Sequence, residues 1–162
     1  MKKISVKIMF VILLVTCVGC GYGPPMKVTL SNLADTPSLY RNKNVEISGY
    51  VIGNEYSVDK YVTWQLLLEE SGMRIYCYKN GYNRDVIAIC ANLAEEAMKN
   101  NEKITVTGRL REGGYSDKDI ISDTKLELKT FEYKEYKIDT DYEGDKWLHP
   151  AHDTYDIHGF GH

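Results

Sequence analysis

Histidine, proline and tryptophan are scarce in this chain of 162 residues, at four, four and two. All four histidines, His149, His152, His158 and His162, stand at the C-terminal end, so the body holds no imidazole for proton transfer. There is no Gly-x-Ser-x-Gly, no glycine-rich phosphate loop and no His-Glu-x-x-His, the spacings that would mark hydrolases, nucleotide sites and zinc peptidases. Carboxylates are plentiful, but no spacing singles out an acid–base pair. The sequence therefore reads as non-catalytic, with no cofactor. A basic excess is also lacking. Lysine and arginine number 20 against 23 acids, a net charge of −3, without the positive field of a nonspecific nucleic-acid binder.

No apolar run reaches the ~20 residues of a bilayer-spanning helix. What the N-terminus does hold is Lys2, Lys3 and Lys7, then an uncharged run, Ile8–Val18, closing on Gly19-Cys20. That order is a secretion signal. It resembles a bacterial lipoprotein signal peptide, in which the cysteine after the cut becomes lipid-modified. Cys20, preceded by Val18 and Gly19, is the expected acceptor, although Cys17 stands upstream where that pattern usually has leucine. Cys17 itself has Leu14 well placed but Thr16 before it; an ordinary cleaved signal is the alternative. The resemblance implies a leader over 1–19, a tether over 20–27, and a lipid anchor on the extracytoplasmic side of the cell membrane or outer membrane. Acyl chains hold by about 0.8 kcal/mol per buried CH2. Without the three leader lysines, 17 basic residues face 23 acidic ones.

The remaining length suits one domain. Val28–Tyr40 reads as a lead-in helical segment with Ser31 as N-cap, interrupted at Asp35-Thr36-Pro37. From Val45 the period becomes two. Val45, Ile47, Gly49 and Val51 share one strand face, and Gly49 suggests a bend or bulge. Asn54–Lys60 is a polar loop. Val62, Trp64, Leu66 and Leu68 then share a face of a second strand, and Met73, Ile75 and Cys77 of a third, with Glu70-Ser71-Gly72 turning between them as a hairpin. Asp85–Lys99 is the best helix, with Val86, Cys90, Leu93 and Ala97 on its apolar stripe and Asn100-Asn101 at its end. Ile104, Val106, Gly108 and Leu110 line strand four. After a loop over Glu112–Asp117, one last strand region spans Ile120–Tyr136, with Leu126, Leu128 and Thr130 opposite Glu127, Lys129 and Phe131.

Three strands, a helix and two strands, with glycines partway along strands one and four, resemble the oligonucleotide/oligosaccharide-binding (OB) fold. The resemblance covers Val28–Tyr133. It implies a mainly β, five-stranded Greek-key barrel over 28–138, with its helix between strands three and four plugging one end. Leu33, Pro37, Tyr40 and Lys43-Asn44-Val45 are similar to the lead-in of OB domains in exported bacterial proteins, with Asn42 where glycine is usual. A small β-sandwich with an appended helix is the alternative. The resemblance also implies a ligand face on strands one to three, here Tyr50, Gln65, Arg74, Tyr76 and Tyr78, with Tyr56 or Tyr61 and Tyr115 on the rims. Flat rings stack on bases or sugars, and Arg74 could hold a phosphate or carboxylate. The same residue types also fill strands because they pair well across them.

Two further constellations remain. Cys77 and Cys90 face the expected core, and export favours a disulfide pinning the helix to strand three; two buried thiols are the alternative. The segment 139–162 has no sustained period and reads as an acidic, extended or disordered tail whose four histidines could take Zn2+, Cu2+ or Ni2+. The expected function is a non-catalytic binding or assembly module at the cell envelope. Its partners are the membrane, through the lipid, and an envelope protein, peptide or glycan, with nucleic acid disfavoured by charge. An oligonucleotide or oligosaccharide binder using the tyrosine face, and a metal-handling lipoprotein using the tail, are the alternatives.

Overall fold

The computed structural model describes residues 24–59, 61–81, 83–113 and 120–141. The leader, Tyr115 and all four histidines lie outside these residues. Two-residue alternation of apolar and polar side chains dictates most of the architecture. β1 (Met26–Lys27) is followed by two short helices, α1 (Leu30–Asp35) and α2 (Pro37–Tyr40). β2 (Asn44–Val58), β3 (Val62–Glu70) and β4 (Met73–Gly81) come next, then α3 (Arg84–Asn100). β5 (Lys103–Glu112), β6 (Ile120–Tyr133) and β7 (Tyr136–Asp139) complete the order.

The hydrogen-bonded order runs β2-β3-β4-β6-β5, and β2 pairs β5 to close the ring. Within this ring, pairing is antiparallel except between β4 and β6, which run parallel. This is a closed five-stranded OB-like barrel. Val45, Ile47, Val51, Trp64, Leu66, Leu68, Ile75, Ile104, Val106, Leu110, Leu126 and Leu128 fill it, all nearly inaccessible to water. Such burial is worth about 1.5–3 kcal/mol per large side chain relative to exposure. α3 packs across one end against β2, β3, β5 and β6. Asn83 caps it by accepting from the Val86 N–H at 3.3 Å, and Asn101 ends it in the left-handed region at φ 52°. Asn54 ties helix to barrel. Its Nδ2 donates to the Ala91 carbonyl at 2.9 Å, and its Oδ1 accepts from Trp64 Nε1 at 2.8 Å.

Several expectations are corrected. The loop expected over Asn54–Lys60 is strand as far as Val58: β2 continues to that residue, pairing Glu55 through Val58 with Gln65 through Val62. Tyr56 and Val58 favour strand, and the ladder continues beyond the core. Thr29 caps α1, accepting from the Asn32 N–H at 3.2 Å, so Ser31 is already helical. The strand irregularity sits between Val51 and Gly53, past Gly49. On α3 the buried stripe is Val86, Ile87, Cys90, Ala91, Ala94 and Ala97, with Leu93 only half-buried. Small alanines let the helix approach the strands. The single last strand is a hairpin, β6 and β7, turning at Lys134 with φ 53°. A register shift opposite Thr107/Gly108 leaves Lys129 without a partner on β5. That bulge reverses the phase, so Phe131 points inward and packs on Trp64 at 5.7 Å between ring centroids.

The termini also reach further. Met26-Lys27, expected as tether, pairs parallel with Val45-Glu46. Asp139 closes β7, and Thr140, expected in the tail, is 2% exposed, with its hydroxyl donating to the Lys129 carbonyl at 3.0 Å. The expected Cys77–Cys90 bond is not formed; both are free, buried thiols. Burial raises both thiol pKa values, that of Cys90 to about 12.

Candidate functional site

The outward positions of β2, β3, β4 and β6 form rows across the barrel. One row holds Tyr50, Glu69 and Arg74. The next holds Gly53, Leu67, Tyr76 and Lys125. The third holds Glu55, Gln65, Tyr78 and Glu127. Tyr76 and Tyr78 are two apart on β4, so strand geometry places both rings on the same face. Gln65 faces Tyr78 across β3.

Between these side chains lies a groove of about 380 Å3, with Gln65, Tyr76, Tyr78, Thr63, Asn80 and Lys125 on its walls and Gly113 at one edge. A second hollow of about 260 Å3, over Gly53, Glu55 and Leu67, shares Gln65 and Tyr76 with it. The two make one continuous surface. The rings are half-buried, held on one side by the sheet and open on the other. The Lys125 ammonium stands 4.8 Å from the Tyr78 ring centroid, a cation–π contact. Desolvation raises the Tyr78 phenol above its ordinary pKa, and the Glu127 carboxylate adds to this while Arg111 opposes it. Tyr78 is thus a neutral hydrogen-bonding phenol throughout the physiological range.

Of the five residues expected here, Gln65, Tyr76 and Tyr78 come together in the groove. Tyr50 and Arg74 lie in the row beyond. Tyr50 is 38% exposed, with the Lys103 ammonium 5.3 Å from its ring. Arg74, expected to receive an anion, donates from Nε to Glu69 at 2.8 Å, so a carboxylate of the chain already occupies it. Tyr56 and Tyr61 sit exposed on the projecting β2–β3 hairpin, 38% and 48% accessible. Sequence reasoning missed Lys125. It reaches Tyr78 only through the parallel β4–β6 pairing, and no local pattern announces that. Charge on this face is balanced. Arg111 pairs with Glu127 at 2.6 Å, and Lys103 with Glu70 at 3.0 Å. Among the described residues no cluster of three or more His, Cys, Asp or Glu could hold a metal ion.

No family model matches the chain, and no curated protein matches it. Solved structures do. A Leishmania major protein described as an aspartyl-tRNA synthetase aligns over 78% of this chain and 26% of its own, at 12% identity and TM-score 0.46. The yeast Stn1 and Ten1 structure aligns over 72% and 68%, at 13% identity and TM-score 0.38. A Klebsiella pneumoniae protein described as a nucleic acid-binding lipoprotein aligns over 64% of this chain and 87% of its own, at 14% identity and TM-score 0.40. The chain spans about a quarter of the length of the synthetase. Likeness at this level carries nothing about function, so function has to come from the chain's own residues.

Proposed function

We propose that this chain is a non-catalytic binding module, lipid-anchored through Cys20 on the extracytoplasmic side of a membrane, that holds an uncharged glycan strand across the Tyr76–Tyr78 groove. The groove carries the reading. Two adjacent half-buried rings offer flat apolar faces to sugar rings, and Gln65, Thr63 and Asn80 offer hydrogen bonds to hydroxyl groups. Ion pairs neutralise Arg74 and Arg111 beside the groove, which disfavours a polyanion. The anchor rests on the Lys2–Cys20 leader pattern and belongs to the same proposal.

One observation favours a second ligand class. Lys125 beside the Tyr78 ring is the pairing of cation and stacking platform that single-stranded nucleic acid uses. Titration of the protein with neutral oligosaccharides and with single-stranded oligonucleotides, each at two salt concentrations, separates the two. The glycan reading expects salt-independent binding of the sugar, weakened at least tenfold by Tyr76→Ala with Tyr78→Ala, since stacking is worth roughly 1–3 kcal/mol per ring by alanine substitution. Binding only to the oligonucleotide, falling steeply with salt, would replace glycan by nucleic acid. Sugar binding that ignores both substitutions would end the groove's role.

A further inference from the structure

β4 carries a second feature at its far end. Continuing the inward phase of Ile75 and Cys77, the next inward position is Lys79, whose side chain is only 8% exposed. A buried ammonium costs free energy unless it is hydrogen-bonded and neutralised. Lys79 Nζ donates to the Leu128 carbonyl at 3.2 Å and to the Asp141 carboxylate. The two partners of that ion pair differ sharply. Lys79 is fixed inside the barrel wall, whereas the Asp141 side chain is 61% exposed, on the turn after β7.

Around the pair opens a cavity of about 440 Å3, walled by Asn80, Asn83, Ile87 and Thr140 as well as the pair itself. Thr140 anchors the turn, its hydroxyl donating to the Leu128 and Lys129 carbonyls at 3.2 and 3.0 Å. The backbone is therefore held beside the cavity while the Asp141 carboxylate meets water. A buried cation matched by an exposed carboxylate beside open space leaves room for a second carboxylate to take the first one's place. The volume suits a small molecule or a chain end. Asn80 also edges the tyrosine groove, so the two cavities adjoin without sharing the rings.

We propose that this cavity is a carboxylate-binding site, with Lys79 as its fixed cation and Asp141 as a tethered competitor that fills it when no ligand is present. The ligand class is a small molecule or chain terminus bearing a free carboxylate, its remaining polar groups meeting Asn80 and Thr140. A tethered group competes at an effective concentration near millimolar, so the site in the native chain is weak for simple carboxylates and opens when Asp141 is removed.

Chemical rescue in the full chain tests this. Asp141→Asn lowers Tm by roughly 4–8 °C, as loss of one or two kcal/mol does in a domain of this size. Sodium acetate restores at least half of the loss, and sodium chloride at equal ionic strength does not. Lys79→Met with Asp141→Asn, which removes both charges, gives no acetate response. Acetate raising the Asp141→Asn protein no more than the wild type, or raising the double variant equally, would overturn the site. Should Asp141→Asn fail to fold, acetate raised well above the effective concentration of the tethered carboxylate gives NMR shifts at Thr140 and Ile87 in the wild type that are absent in Lys79→Met; no shifts in the wild type even at that excess refute the proposal. Tyr76→Ala with Tyr78→Ala leaves acetate rescue unchanged, so the outcome is independent of the tyrosine groove.

Discussion

Replacing Gly108 by alanine tests the barrel closure on which both cavities depend. Gly108 lies on β5 where the strand crosses β6, and a Cβ there would stand 2.2 Å from the Glu127 carbonyl oxygen and 2.9 Å from Leu126 Cγ. Real Cβ contacts do not fall below 3.0 Å, so β6 would have to retreat by nearly an ångström. That motion breaks ladder hydrogen bonds at the seam and displaces Leu126 from the core. Overpacking alone costs about 1–3 kcal/mol, and two weakened hydrogen bonds add roughly 1 kcal/mol each. Gly108→Ala should therefore destabilise by about 3–5 kcal/mol, a Tm loss of 12 °C or more at roughly 4 °C per kcal/mol. The other strand glycines supply a graded scale within the same protein. A Cβ at Gly49 would meet the Glu69 carbonyl oxygen at 3.0 Å, at Gly53 the Leu67 Cβ at 3.2 Å, and at Gly81 only the end of Ile87 at 3.7 Å. Urea unfolding of the four alanine variants should rank Gly108 far below Gly49, then Gly53, with Gly81 near wild type. Gly108→Ala as stable as Gly81→Ala would mean that β5 and β6 do not cross as described, and the groove beside Glu127 would go with them.

The thiols give an alkaline signature. Their folded pKa values are raised, so their contribution to stability is intact below the unfolded thiol pKa near 8.5 and is lost as pH rises through that value. Between about pH 9 and 12 each should lower unfolding free energy by up to ~1.4 kcal/mol per pH unit, and Cys77→Ala should halve the slope that Cys77→Ala with Cys90→Ala removes. Equal slopes in all three proteins, by urea unfolding across pH, would contradict the buried thiols. Asn54→Ala leaves the fully buried Trp64 N–H without its acceptor and should cost about 1–3 kcal/mol. In Trp64→Phe, which has no N–H to lose, the same substitution should cost less than half as much, measured as a double-mutant cycle.

What was legible followed from contrast between faces. In Val45–Val51, Val62–Leu68 and Ile104–Leu110 one face meets the core and the other meets water, so hydrophobic alternation reports the strand directly. The end of β2 beyond Gly53 has no such contrast, since Glu55, Tyr56, Ser57 and Val58 are all exposed, and its strand character rests on hydrogen bonds that no side-chain pattern records. β6 fails differently. Its alternation is real, but the Lys129 bulge shifts it by one position, so a strict period of two puts Phe131 on the wrong side. β1 and β7, two and four residues long, are too short to show a period at all.

The same distinction separates the two candidate sites. The tyrosine groove was half visible, because Gln65, Tyr76 and Tyr78 lie on neighbouring antiparallel strands whose hairpin fixes their register. Its remaining wall, Lys125, depends on a parallel pairing between strands far apart in sequence, which only the closed barrel creates. Lys79 is the opposite case. Met73, Ile75 and Cys77 mark the strand in the sequence, but the structure carries β4 on to Gly81, so the next inward step lands on a lysine, a charge at a core position in conflict with the pattern. Such conflicts survive in a fold only where something compensates them, and here the compensation is a carboxylate that reaches in from solvent. A barrel needing only stability would be served by methionine at that position, since a well-packed apolar side chain commonly equals or exceeds a buried ion pair. The lysine is therefore better explained by what it can hold than by what it stabilises, and Lys79→Met should leave the folded barrel at least as stable as the wild type, while added to Asp141→Asn it should abolish the rescue by acetate.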